Sequence, residues 1–225
     1  KIFESKRKNI LSVFFTAGYP KRQDTIAIAE HLQRAGVDMI EIGIPFSDPI
    51  ADGPIIQESN KTALDQGMSV ALLLQQVSEL RAKIEIPVVL MGYLNPVMQY
   101  GIEKFFKDAA KVGVDGLILP DLPLEEYELH YKSLCESLNL SISFLISPTT
   151  SEKRIRKIDT LSSGFIYAVS SSSTTGAKQE FSAEQCSYFE RLDTMKLKNP
   201  FLIGFGISNK KTYQQACEYS AGAII

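Results

Sequence analysis

The chain has 225 residues, 44% hydrophobic and 22% charged, enough for one large domain with a sizeable core. A formal net charge of −2 gives no electrostatic reason to expect a nucleic acid or an anionic membrane as partner, and no apolar run approaches bilayer-spanning length. Three scattered cysteines, Cys135, Cys186 and Cys217, fit no metal spacing and point to free thiols in a reducing, cytoplasmic compartment.

Taken in order, the pattern alternates strand and helix. Residues 10–17, rich in β-branched and aromatic side chains, read as a first strand ended by Gly18-Tyr19-Pro20. Asp24 is expected to cap a helix whose apolar positions Ile28, Leu32 and Ala35 recur at helical spacing, and Gly36 to end it. The second strand, 39–44, carries one acid. Alternation puts Met39, Glu41 and Gly43 on one face and the isoleucines on the other. Pro45, Pro49, Gly53 and Pro54 then predict a long loop over 45–60, holding Asp48 and Asp52. Ser69 is expected to cap a helix running to Leu80, before a strand over 87–91. Further on, the pattern predicts a helix over 102–110, a strand over 114–119, a helix over 125–138 and a strand over 142–146. A helix over 152–161, a strand over 165–169, a helix over 183–195, a strand over 201–205 and a helix over 210–219 complete it. The last residues start an eighth strand and are expected to be cut within it.

Continuous apolar strands imply sheet faces covered on both sides. Eight strands alternating with helices favour α/β architecture, a (β/α)8 TIM barrel in a single domain over 1–225. An open doubly wound sheet is the alternative; it would typically carry a glycine-rich turn after the first strand, and Thr16-Ala17-Gly18-Tyr19-Pro20 is not one.

In a barrel the chemistry sits at the C-terminal ends of the strands. The loop over 45–60 falls there, as does 170–181, S-S-S-S-T-T-G-A-K-Q-E-F, which reads equally well as a lid or a plain connection. Gly204-Phe205-Gly206, with Ser208 or Asn209 to cap the next helix, offers backbone N–H groups that suit a phosphate. Tyr93, Asn95 and Asp121 follow the third and fourth strands; Phe14 and Tyr167 either fill the core or wall a pocket. Glu41, on so apolar a strand, should be desolvated and its pKa raised, while Asp52 in a polar loop should stay ionised. Two carboxylates in different environments let one site hold an acid and a base. Taken alone, Glu41 also reads as a strand-end acid paired with a base. No predicted strand contains a lysine, the histidines His31 and His130 lie far apart on helices, and no cysteine sits beside a histidine. Schiff-base, zinc and thiol chemistries therefore lack their residues, and carboxylate acid–base chemistry is what these residues can supply.

The run E-I-G-I-P-F-S-D-P-I-A-D-G-P-I-I-Q, Glu41 to Gln57, resembles the signature of the tryptophan synthase alpha chains. The resemblance extends in order through F-F-T-A-G-Y-P (Phe14–Pro20), M-G-Y-L-N-P-V (Met91–Val97), G-V-D-G-L-I-L-P-D-L-P (Gly113–Pro123), Thr175-Gly176 and G-F-G-I-S (Gly204–Ser208). It implies a barrel lyase that splits indole-3-glycerol phosphate into indole and glyceraldehyde 3-phosphate without cofactor or metal, in a complex with a beta chain facing the loops after strands two and six. Glu41 and Asp52 would be the catalytic acids. Phe14, Tyr93, Ile118, Tyr167 and Phe205 would line the pocket, Gly176 and Gly206 would hold phosphate, and Thr175 would close onto Asp52. Two departures from the pattern stand out. Serines and threonines fill positions before Thr175-Gly176 where many members carry Arg and Gly, and a Gly-Ser phosphate element after strand eight is not present. Two other readings stay open at this stage: a subunit with little activity until its partner binds, and another phosphosugar barrel.

Overall fold

In a computed structural model of the chain, residues 2–170 and 180–225 are described. They divide into two compact units, Val13–Ser141 and a second made of Lys1–Ser12 with Ile142–Ile225. The chain begins with a short helix, α1 (Ile2–Ser5), and enters β1 (Ile10–Thr16), whose first three residues belong to the second unit.

In the Val13–Ser141 unit, β1 leads to α2 (Asp24–Arg34), β2 (Met39–Gly43), α3 (Pro54–Asp65) and α4 (Val70–Leu80). β3 (Val88–Met91), α5 (Leu94–Tyr100), α6 (Ile102–Lys111) and β4 (Gly116–Ile118) follow. The unit closes with α7 (Leu124–Glu126), a π-helical turn over Tyr127–Tyr131 and α8 (Lys132–Ser137). β2, β3 and β4 pair in parallel, with Glu41 opposite Val89 and Val89 opposite Gly116. Every residue of β2 is buried, as expected of a strand covered on both faces. Ile40, Ile42, Leu90 and Leu117 are fully buried, each worth about 1.5–3 kcal/mol relative to exposure.

β5 (Ser141–Ile142) straddles the division. The second unit continues through β6 (Leu145–Ile146), α9 (Glu152–Leu161), β7 (Ile166–Val169), α10 (Ala183–Thr194), β8 (Phe201–Gly204), α11 (Lys210–Tyr219) and β9 (Gly222–Ile224). β6, β7, β8 and β9 pair in parallel in that order, and Ile10, Leu11 and Ser12 of β1 pair with Gly222, Ala223 and Ile224.

The caps follow the expected chemistry in two places. Ser69 Oγ accepts from Leu72 N at the start of α4, and Asn209 Oδ1 accepts from Thr212 N at the start of α11. Four expectations need correction. Residues 54–60, expected as the end of the loop, instead begin α3 (Pro54–Asp65), because Pro54 stands in the first turn, where its missing N–H costs nothing and its fixed φ suits a helix. Asp24 does not cap α2; it lies inside the helix, and its carboxylate accepts from Lys21 N one turn earlier. The strand expected over 142–146 is two short ones, β5 and β6, with Ser143 and Phe144 in neither; at the end of β5, Ile142 N–H donates to Ser163 Oγ. The helix expected over 125–138 is interrupted by the π turn, and a further helix, α5, follows Tyr93.

Candidate active site

In the Val13–Ser141 unit the register places the site residues directly. Parallel partners project to one face, so Glu41, Val89 and Gly116 share a face, as do Gly43, Met91 and Ile118 two residues on. These are the same face of β2, β3 and β4. A Cβ on Gly43 would lie 2.6 Å from Phe14 Cζ, so the Phe14 ring rests where a side chain of residue 43 would stand. Phe14, Glu41 and Ile118 therefore meet on one surface. Glu41 is 0% exposed there, flanked in sequence by two buried isoleucines.

Beyond the strand ends, Ala51 N–H donates to the Tyr93 hydroxyl at 3.0 Å, and Gln57 Nε2 donates to Asp52 O at 2.9 Å. Tyr93 packs against Phe46 with ring centroids 5.3 Å apart. The backbone before α5 is held in turn by Asp121, whose two carboxylate oxygens accept from Leu94 N at 2.8 and 3.0 Å. No side chain of α5's own N-cap does this, so Asp121 caps the helix from another loop. Burial pushes the Asp52 carboxyl above the ordinary aspartate range, opposed by a hydrogen bond from Asn60. That corrects the expectation of a purely polar setting: the loop folds Asp52 partly out of water. Burial also raises the Tyr93 phenol; the Ala51 hydrogen bond opposes this, and the nearby charges of Asp52 and Asp121 add to it.

In the second unit, Tyr167 and Phe205 pack edge to face with centroids 5.9 Å apart. A Cβ on Gly204 would lie 2.3 Å from the Tyr167 hydroxyl oxygen, so only glycine lets that ring lie across the end of β8. Phe205 and Gly206 both take left-handed backbone, at φ +64° and +74°. Ser170 Oγ donates to Phe205 O at 2.5 Å. Thr175 and Gly176 lie outside the described residues. Sequence reasoning did not single out Asn60, Ser170 or the Thr16–Ser59 hydroxyl pair, 2.7 Å apart, which fastens α3 to the end of β1. A Ser-Asn pair inside an otherwise amphipathic helix was the available signal for two of them.

A family model described as Tryptophan synthase alpha chain matches residues 2–225. The chain belongs to the tryptophan synthase alpha chain family. It is 53% identical over 224 residues to the tryptophan synthase alpha chain of Parabacteroides distasonis, covering 100% of this chain and 87% of that one. With that of Flavobacterium psychrophilum it is 53% identical over 218 residues, 97% of this chain and 86% of the relative. Among solved structures, tryptophan synthase subunit alpha from Legionella pneumophila superposes with a TM-score of 0.87 at 35% identity, covering 99% of this chain and 82% of the other. A Mycobacterium tuberculosis tryptophan synthase chain gives 0.90 at 31%, covering 99% and 86%. The fold is accordingly the (β/α)8 barrel of the alpha chains. Expected strand five corresponds to β5 and β6, and expected strands six to eight to β7, β8 and β9.

As a member of that family, the chain is a lyase of tryptophan biosynthesis that cleaves indole-3-glycerol phosphate, and the family implies a beta chain as its partner. Among the described residues, no helix is long and apolar enough to cross a membrane.

Proposed function

We propose that Glu41 and Asp52 are the two acids of the cleavage. The observation that carries this is Glu41, wholly buried on a strand face it shares with Phe14 and Ile118. Taking a carboxyl out of water disfavours its charged form, which is the condition a proton donor needs. The carbon–carbon bond breaks only after the indole ring gains a proton at C3. Glu41 delivers that proton, and its carboxylate then takes the proton of the glycerol 3′-hydroxyl as the bond electrons return to the ring. Asp52, whose charged form burial disfavours and the Asn60 hydrogen bond favours, acts as a carboxylate that accepts the indole N–H and stabilises the positive charge on the ring. Phe14, Tyr93 and Ile118 line the indole pocket, Tyr167 and Phe205 also contact substrate, and the Gly206 amide takes phosphate. The family match over residues 2–225 supports reading the whole chain as one barrel domain.

Glu41→Gln and Asp52→Asn, assayed for indole release, test the assignment. Each is expected to lose roughly 10²-fold or more in kcat, the scale of a general acid or base. Near-normal turnover in either variant removes that residue from the mechanism.

A second element of the reading concerns the beta chain. The loop after β2 and the first turn of α3 leave Ile50 92% and Ile55 80% exposed, an apolar pair in a position to face a partner. This supports docking through that segment; the family likeness is what suggests a second contact through the loop after β7, whose residues 171–179 lie outside the described residues, and an activity that depends on the partner. Equal indole release with and without the beta chain would exclude the dependence.

A further inference from the structure

We infer that Ser170 is a positioning residue that aims the Phe205–Gly206 peptide at the phosphate of the substrate, an inference resting on the reading of Gly206 above. Ser170 ends β7's rim, is 1% exposed, and has all three of its hydrogen-bonding groups engaged. Its N–H donates to Gly204 O at 2.9 Å, its carbonyl accepts from Gln185 Nε2 at 2.9 Å, and its hydroxyl donates to Phe205 O at 2.5 Å. Gln185 is itself fixed, being the third residue of α10 and part of a capping box with Ser182.

The turn these bonds grip is one a chain does not adopt without support. Phe205 is a bulky residue at φ +64°, where its Cβ crowds the backbone, and it is followed by Gly206 at +74°. The residue is 37% exposed, and burial alone does not hold its backbone. The Ser170 hydroxyl does hold it. Because C=O and N–H of one trans peptide point in opposite directions, drawing the Phe205 carbonyl onto Ser170 turns the Gly206 N–H away from Ser170. Among the described residues no acceptor meets that N–H. A peptide clamped on its carbonyl side and open on its amide side is preorganised for an anionic oxygen. Without the hydroxyl, the peptide can rotate toward less strained backbone and the amide loses its aim.

The test is Ser170→Ala in the full chain with its beta chain. The expected result is a rise of about 5- to 10-fold in KM for indole-3-glycerol phosphate and in the Kd of glycerol phosphate by calorimetry, the size expected for losing one directed hydrogen bond. kcat should stay within about twofold, and the affinity for indole, which has no phosphate, should not change. General loosening of the fold would move both ligands together. Unchanged KM and unchanged glycerol phosphate affinity would overturn the inference. The amide resonance of Gly206 in the unsubstituted protein separates the two readings. If it does not shift on adding glycerol phosphate, Gly206 is not the phosphate ligand and both fall; if it shifts while Ser170→Ala binds normally, only the role of Ser170 falls. Should Ser170→Ala not fold, Ser170→Cys keeps the size with a weaker donor. An affinity between normal and absent supports the role, and a normal one overturns it.

Discussion

The backbone N–H of Ala51 donates to the hydroxyl of Tyr93, and this bond ties the acid-bearing loop after β2 to the start of α5. Asp52 is the next residue, so the bond constrains where its carboxylate can stand. Tyr93→Phe keeps the ring against Phe46 but leaves Ala51 N–H without its acceptor. The expected outcome is a fall of about tenfold in kcat with little loss of stability, since a typical hydrogen bond contributes about 1 kcal/mol. Steady-state kinetics beside a denaturant curve check it, and an unchanged kcat would show that the loop holds its shape without Tyr93.

Gly43 and Phe14 make a second such pair. A Cβ at residue 43 would meet the Phe14 ring at 2.6 Å, closer than carbon atoms can approach. Gly43→Ala must therefore push the ring along the face that carries Glu41. Overpacking of this kind costs about 1–3 kcal/mol. For a chain of this length that corresponds to roughly 2–10 °C in Tm. Scanning calorimetry gives the stability and an indole-release assay the function. Phe14→Leu in the Gly43→Ala background should recover part of both losses, because it removes the ring edge that clashes.

The raised Asp52 carboxyl gives a pH prediction with a definite sign. Burial lifts its folded-state pKa above 3.8, so between that value and the raised one the folded chain binds more protons than the unfolded chain. Stability from this group is thus gained as pH falls through the window, and at neutral pH the ionised carboxylate opposes folding. Asp52→Asn should be more stable than the unsubstituted protein at pH 7, while losing activity. The two should converge as the pH approaches 3.8. Urea titrations at a series of pH values test this; an Asn variant that is less stable at pH 7 would mean that the Asn60 hydrogen bond outweighs the burial.

The alternation of strands and helices was legible because each strand is a short apolar run and each helix repeats its apolar residues every three to four positions. Glu41 was legible for the same reason, as the one charge in such a run. What local pattern could not supply was context. Pro54 reads as a breaker unless the helix is known to begin at it. Asp52 reads as solvated unless α3 is known to bring Asn60 back to it. Asp121 and Ser170 are single polar residues in loops, and their roles exist only through partners 27 and 35 residues away. Such long-range capping leaves no periodic mark.

Cys135 sits on α8 facing the core, and burial pushes its thiol up to about 12. Since the thiolate is the reactive form, only about one molecule in 10⁴ carries it at pH 8. In the native protein Cys135 should resist iodoacetamide for hours, and should react within minutes once urea exposes it. Peptide mapping by mass spectrometry distinguishes the three cysteines. Rapid native labelling of Cys135 would mean that α8 opens far more often than its packing implies.

The exposed isoleucines Ile50, in the loop after β2, and Ile55, at the start of α3, predict an effect on assembly. A solvent-facing side chain contributes little to the stability of the isolated chain, so Ile50→Ser and Ile55→Ser should leave its denaturant midpoint almost unchanged. If the beta chain covers them, each isoleucine gives up about 1.5–3 kcal/mol of burial on substitution, or roughly 10- to 100-fold in affinity. Ile55 is the sharper probe, being on the first turn of α3 and three residues beyond Asp52. Calorimetric titration of each variant with the beta chain gives the affinity, and indole release at saturating beta chain gives the activity of the assembled enzyme. The expected pattern for Ile55→Ser is weaker binding with activity recovered at saturation. Normal affinity in both variants would place the interface elsewhere on the alpha chain.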